Sequence, residues 1–349
     1  MTPVSLDEAA VALGFISADC DRETWLHLGM SLKAEFGDLA FSVWDAWSST
    51  SDSYKQAEAL SVWKSIKESG AFSIGTLLYQ AKQSGYTPQY KEQTPEQKQQ
   101  QEKAQAERKA AREVLAEKEA ELTKYWHDKI ARLSLALFEE HVSNSGSSPY
   151  LGKKKVRAFG VGFFKRGVVL EVNELTGDAR FTIGQTEINA FFENYKKNKD
   201  GYKEKGGWFL YLKKGVIAVP VKDESGRLFN LQFIFEDGGK KFIKKGRLSG
   251  CFHLIEEKNS DGWLLIAEGY ATAASLHMAT GSNVAVAFNA GNLLGVSKSL
   301  SLINKNKNIL ICGDNDLKTE SNPGRKKAMQ AAKVINSRWC VPDFEAFYG

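Results

Sequence analysis

Two short apolar runs, Leu264-Leu265-Ile266-Ala267 and Ile309-Leu310-Ile311-Cys312, constrain this chain most. Glu268-Gly269 closes the first and Gly313-Asp314-Asn315-Asp316 the second. Such runs, without polar alternation, read as strands buried on both faces, the habit of a parallel sheet covered by helices. Sheets of that kind place ligands at the carboxyl ends of their strands. Taken singly, Glu268 reads as a helix-start acid and Asp314 as an N-cap, both ordinary. Together, with Asp314 and Asp316 alternating so that both can face one cation, they predict a shared metal site. Clustered carboxylates repel one another unless a divalent cation sits between them, and such hard oxygen ligands suit Mg²⁺. The expectation is a magnesium site for phosphate chemistry.

The surrounding pattern supports that sheet. Strands are expected at 263–267, 284–288 and 309–313, alternating with helices at 270–278, 293–302 and 323–335, which gives parallel βαβ units. Asn289-Ala290-Gly291-Asn292 follows the second strand, and its small residues let a backbone turn approach a ligand. Upstream, β-rich runs at 168–172, 216–221 and 228–235 include a hairpin across the turn 222–227. Net charge is only +5, from 47 basic and 42 acidic residues, so distribution decides what it means. Lys240, Lys241, Lys244, Lys245 and Arg247 run with no acid among them, and a second lysine-rich stretch spans 196–214. Clustering of this kind neutralises phosphates and predicts nucleic-acid or nucleotide binding. Tyr195, Tyr202, Trp208 and Tyr211 interleave with the second stretch and are candidates for stacking on single-stranded bases.

The amino-terminal part is different. Apolar residues recur at helical spacing through Leu6, Leu13, Trp25, Leu28, Leu32, Phe36, Trp44 and Trp47, with Trp25, Trp44, Trp47 and Trp63 expected in the core. From Lys91 to Glu121 the chain turns to Gln, Glu, Lys, Arg and Ala, a solvated helix. Leu122, Trp126, Ile130, Leu133 and Leu137 then add a stripe that must pack on something. The chain therefore reads as a multidomain α and α/β protein: a helical domain over 1–86, a charged helical connector over 87–146, a basic mixed α/β subdomain over 147–256, and a parallel, Rossmann-like α/β domain over 257–349. Four dispersed cysteines with no CxxC spacing indicate neither a disulfide framework nor a zinc site, and fit a reducing, cytoplasmic setting. Neither a signal peptide nor a bilayer-spanning run is read from the sequence.

Two resemblances sharpen these expectations. Trp25-x-x-x-Gly29-Met30, Trp44-Asp45-x-Trp47-Ser48, Trp63 and Ile74-Gly75-Thr76-Leu77 resemble the PriCT family, small helical modules of phage and plasmid primases. Glu268-Gly269 and Gly313-Asp314-Asn315-Asp316 resemble the Toprim domain of bacterial-type primases, topoisomerases and some nucleases. The likeness is closer to the Toprim primases of phages and plasmids. It extends through Gly250-Cys251-Phe252-His253-Leu254, Ala287-Phe288-Asn289-Ala290-Gly291-Asn292, Asn322-Pro323-Gly324, and, upstream, Leu231-Gln232-Phe233-Ile234 and Lys241-Phe242. The resemblance implies a primer synthase acting on single-stranded DNA with nucleoside triphosphates and Mg²⁺ or Mn²⁺, with a replicative helicase as a further partner. It implies Glu268 as general acid/base and Asp314 and Asp316 as metal ligands, with Glu268 completing the acid set. Lys240, Lys241, Lys244, Lys245 and Arg247, with Asn289 and Asn292, are assigned to template or triphosphate. A Toprim nuclease and a weakly catalytic DNA-loading module of a longer primase-helicase are the alternatives. The family's further acidic motif after the last strand is not evident; Asp343 and Glu345 are the acids there.

Overall fold

The computed structural model describes residues 4–66, 72–88, 95–257, 262–304, 308–316, 319 and 322–343, so Glu345 and residues 89–94 of the connector expected over 87–146 lie outside the described residues. The chain divides into two compact units, 1–121 and 122–349.

The first unit contains α1 (Leu6–Leu13), α2 (Arg22–Phe36), α3 (Phe41–Ser48), α4 (Gln56–Ser65) and α5 (Ile74–Gln83). Ser5 and Asp21 cap the first two helices by accepting the Glu8 and Thr24 backbone N–H groups at 3.1 and 2.9 Å. The apolar faces meet around Trp44, which is fully buried and packs against Trp25 and Trp63 with ring centroids at 4.4 and 5.3 Å. Gly29 is required beside it, because a Cβ there would come within 2.9 Å of the Trp44 ring. The tryptophans are core, as their spacing predicts.

A single helix, α6 (Pro95–His141), runs for 47 residues, about 70 Å at 1.5 Å per residue. Its polar first part belongs to the first unit and its last part to the second. Trp126, Ile130 and Leu137 are buried in the second unit's core, but Leu122 is 57% exposed and falls outside the stripe predicted for it.

The rest of the second unit comprises β1 (Val142–Ser143), α7 (Pro149–Lys154), β2 (Gly162–Phe164), β3 (Val168–Asn173), β4 (Asp178–Ile183), α8 (Gln185–Lys197), α9 (Lys199–Glu204), β5 (Gly207–Leu212), β6 (Ile217–Lys222), β7 (Leu228–Ile234) and β8 (Lys240–Phe242). The expected hairpin is β6–β7, at the middle of an antiparallel sheet of order β1-β2-β6-β7-β8; β4-β3-β5 form a separate three-stranded sheet. After these come β9 (His253–Ile255), β10 (Trp263–Ala267), α10 (Tyr270–Thr280), β11 (Asn283–Val286), α11 (Leu293–Ile303), β12 (Asn308–Cys312), α12 (Pro323–Ile335) and β13 (Arg338–Cys340). Their sheet has the order β13-β12-β10-β11-β9, parallel except for β9. The three predicted strands and three predicted helices are present within a few residues. The flanking β9 and β13 were not foreseen, since three residues each are too short to carry a period.

The basic sheet and the parallel sheet share one core. Val219 and Ile234 of the first lie in the same buried cluster as Leu265, Ala267, Val284 and Val286 of the second. Tyr270 closes the seam: its hydroxyl accepts the Phe159 N–H at 2.7 Å, beside His253, whose Nε2 lies 2.9 Å from the Phe159 carbonyl. Burial pushes the His253 imidazole down to about 4, so it stays neutral at physiological pH. The expected division at 256/257 therefore crosses continuous apolar packing. Among the described residues no helix is long and apolar enough to cross a membrane.

Candidate active site

Parallel register brings the acid-bearing strand ends together. β10 and β12 are adjacent, Ala267 pairs with Cys312, and Glu268 therefore leaves the sheet beside Gly313-Asp314. Glu268 is almost fully buried, and its Oε1 accepts the Asp314 N–H at 3.1 Å. Burial pushes its carboxyl above the usual range, the Asp314 N–H opposes this in part, and the charges of Asp314 and Asp316 add to the rise. Burial likewise raises Asp314, with Asp316 adding to it and Lys240 pulling it back.

The loop after β12 is shaped by α12. Asn322 sits in the left-handed region (φ 40°), and its Oδ1 accepts N–H bonds from Asp316 at 3.2 Å and Arg325 at 3.3 Å. Its amide donates to Asn315 Oδ1 at 2.8 Å, and Asn315 in turn donates to the Pro342 carbonyl at 2.8 Å. The N-cap of α12 thus folds the acidic loop. Gly324 donates its N–H to Asp316 Oδ2 at 3.2 Å, and no side chain fits there: a Cβ would collide with the Asp314 carbonyl and lie 2.8 Å from Glu268 Oε1. The helix expected from Pro323 is therefore present as α12, and Asn322 is its N-cap. An Asn N-cap followed by Pro at the first helical position is the signal that predicts this helix start.

Among the described residues no three acids, histidines or cysteines are gathered closely enough to hold a metal ion as they stand. The expected three-carboxylate cluster is instead a neighbouring set whose oxygens bond loop N–H groups, and whose mutual repulsion opposes closer approach. The donors still fit a hard divalent cation. All are carboxylate oxygens, Glu268 and Asp314 have raised carboxyls, and a cation would relieve the repulsion.

That balance gives a pH dependence. Glu268 and Asp314 bind protons more tightly folded than unfolded, so their contribution to stability is present below the ordinary carboxylate range and lost as pH rises through the raised values. A divalent cation competes with those protons. Mg²⁺ at tenfold excess over its Kd is expected to raise the melting temperature by about 3–6 °C near pH 8 and by much less near pH 5. Equal shifts at both pH values in calorimetry would count against these acids as ligands.

The basic residues separate into two groups. Lys240 lies at the site, where its ammonium feels Asp314 and would sit 3.5 Å from a Cβ on Gly269; desolvation lowers its pKa, as does Lys154, while Asp314 raises it. Lys241 is its exposed neighbour. Lys244 and Lys245 both pair with Glu174, at 2.6 Å for Lys245, and Arg247 lies 3.6 Å from Asp223 and stacks over Phe229. The run without acids in sequence is partly neutralised in space. Accordingly, Lys241→Glu is expected to weaken single-stranded DNA binding about tenfold and reduce its salt slope by about one, with Lys244→Glu doing distinctly less. Fluorescence anisotropy at several salt concentrations checks this, and equal effects would overturn the distinction.

Other expected contacts are redirected. Asn292 is buried and consumed by the protein: its amide lies within 2.9–3.0 Å of the Leu248, Cys251 and Ala287 carbonyls, and its Oδ1 accepts the Gly250 N–H at 2.9 Å. It clamps a loop, with its amide and its Oδ1 both engaged within the protein. Asn289 is exposed beside it and caps the following turn by accepting the Asn292 N–H at 3.0 Å. Phe288, just before, has a positive φ of 71°, an uncommon strain for a bulky residue, and meets Phe242 of the basic sheet at 5.7 Å. Tyr195 and Tyr202 stack mainly on each other and on Phe209, and Tyr211 on Phe192. These rings form a half-buried cluster held mostly by edge-on contacts.

The domain carrying this site, residues 263–341, matches the Toprim domain family. Residues 9–81 match the PriCT-2 (primase C terminal 2) family, so the resemblance to Toprim primases of phage or plasmid type with a PriCT module holds. The chain is similar to two proteins of Escherichia coli described as DNA primase TraC, 38% and 37% identical over 133 residues. Each match covers 36% of this chain and respectively 12% and 9% of the relative, so the chain spans about a tenth of the curated relatives it matches. Among solved structures it is similar to the DnaG catalytic core, at 14% identity and a TM-score of 0.33, over 63% of this chain and 72% of that one.

Proposed function

We propose that this chain is a DNA primase: a metal-dependent nucleotidyltransferase that makes short primers from nucleoside triphosphates on single-stranded DNA. The observation that carries the reading is the facing of Lys240 and the Glu268, Asp314 and Asp316 carboxylates across one Toprim sheet edge, in a chain that also carries a PriCT-2 domain. The relatives' description as DNA primases supports it. Asp314 and Asp316 would hold Mg²⁺ or Mn²⁺, which would supply polarisation of a phosphate and offset charge developing on it. Glu268 serves as general acid/base at the reacting 3′-oxygen, beside Asp314, with its carboxyl raised by burial. Lys240 lies where it can receive a triphosphate, and Lys241 extends the positive surface toward the template. A cytoplasmic setting and a replicative helicase as partner go with this reading.

The decisive experiment supplies single-stranded DNA, Mn²⁺ or Mg²⁺ and labelled nucleoside triphosphates, with a parallel reaction on end-labelled DNA. New short labelled products are expected. Shortened template with no new product would replace synthesis by nuclease action, and binding with neither would reduce the chain to a loading module.

A further inference from the structure

Two of the four cysteines, separated in sequence by the whole of α12, meet in space. Cys312 ends β12 and Cys340 ends β13; they are register partners on adjacent parallel strands, with their sulfurs 3.7 Å apart. Neighbouring strands lie about 4.8 Å apart, within the Cα separation of about 4.4–6.8 Å that a disulfide spans, so closing the bond needs little backbone movement. Access is one-sided. Cys340 is exposed on the sheet's edge strand, while Cys312 is buried behind it.

We propose that Cys312 and Cys340 form an oxidative modification site, a dithiol that hydrogen peroxide converts reversibly into a disulfide. The Cys340 sulfur attacks one peroxide oxygen, giving a sulfenic acid and water. The Cys312 sulfur then displaces hydroxide from that sulfenic acid, forming the S–S bond and a second water. Two thiols lose two electrons and two protons, and one peroxide is reduced to two waters. The hydrogen bond with Cys312 favours the first step by lowering the Cys340 thiol. Cys251 is a built-in contrast, buried and pushed up to about 11.

The position gives the modification a target. The Gly313 N–H donates to the Cys340 carbonyl at 2.9 Å, and Asn315 holds the Pro342 carbonyl, so the segment carrying Cys340 is already tied to both ends of the acidic loop's start. A covalent bond there fixes that segment to the loop that presents Asp314. The chemistry does not depend on the primase reading and is tested without activity.

The intact chain is exposed to hydrogen peroxide, denatured, and its free thiols counted, with peptide mapping under non-reducing conditions. The expected result is a fall from four thiols to two, with one peptide pair linking Cys312 to Cys340, and full recovery with dithiothreitol. In Cys312→Ala the resolving thiol is gone, so Cys340 is expected to be trapped by dimedone, which labels the wild type far less. Four retained thiols, a different linkage, or equal dimedone labelling of both proteins overturns the proposal. Should Cys312→Ala fold poorly, Cys340→Ser, altered at an exposed position, must retain all three remaining thiols; their loss would be equally fatal.

Discussion

Replacing Asp314 and Asp316 together by alanine is expected to lower primer synthesis at least about a thousandfold, since the variant loses the oxygens assigned to the cation that stabilises charge on the phosphate. Single-stranded DNA binding is expected to change less than about twofold, because the proposed function assigns the phosphates to Lys240 and Lys241 rather than to the acids. Stability separates this outcome from unfolding. Without metal, Asp314 and Asp316 destabilise one another and Glu268, so the double variant is expected to melt no lower than the wild type near pH 8 and to lose its response to Mg²⁺. Primer synthesis at the wild-type rate by a folded double variant would remove these residues from the site.

The second large effect is expected from the smallest change. Gly324→Ala adds one methyl group where the Asp314 carbonyl and Glu268 Oε1 leave no room, and it pushes on the same residue whose N–H holds Asp316. Overpacking of this kind costs about 1–3 kcal/mol, a drop of roughly 2–12 °C in melting temperature. Catalysis should suffer more than folding, because displacing reacting groups by about 1 Å costs on the order of a hundredfold. Circular dichroism and steady-state assays of the same preparation check both parts. Unchanged turnover would mean that the loop tolerates movement and that the acids are less tightly positioned than described.

How much of this was legible in the sequence depended on how locally each feature is encoded. The strand ends carrying Glu268 and Asp314 were readable because an apolar run, a glycine and an acid stand next to one another, and the Rossmann-like order followed from their alternation with helices. The tryptophan core was readable for the same reason, as helical spacing is a local signal. The misreadings involve partners far apart in the chain. Glu174, just after β3, pairs with Lys244 and Lys245, Asn292 donates its amide to carbonyls of a distant loop, and Tyr195 and Tyr202 of α8 and α9 pack edge-on against Phe209 of β5. The Cys312–Cys340 pair was likewise invisible, because parallel strands bring together residues that no short spacing rule connects.

The shared core beneath the two sheets of the second unit has a consequence for how the site selects what it acts on. With Val219, Ile234, Phe288, Tyr270 and Cys312 in one buried cluster, the sheet bearing Lys240 and the sheet whose strand β12 leads into Asp314 are walls of a single block and not the two halves of a hinged jaw. The gap between cation and carboxylate is then a fixed gauge, set during folding. On the proposed function, a nucleotide is then accepted by its dimensions, and discrimination among substrates falls to the exposed loops around the gap, whose sequence can change without disturbing the gauge itself.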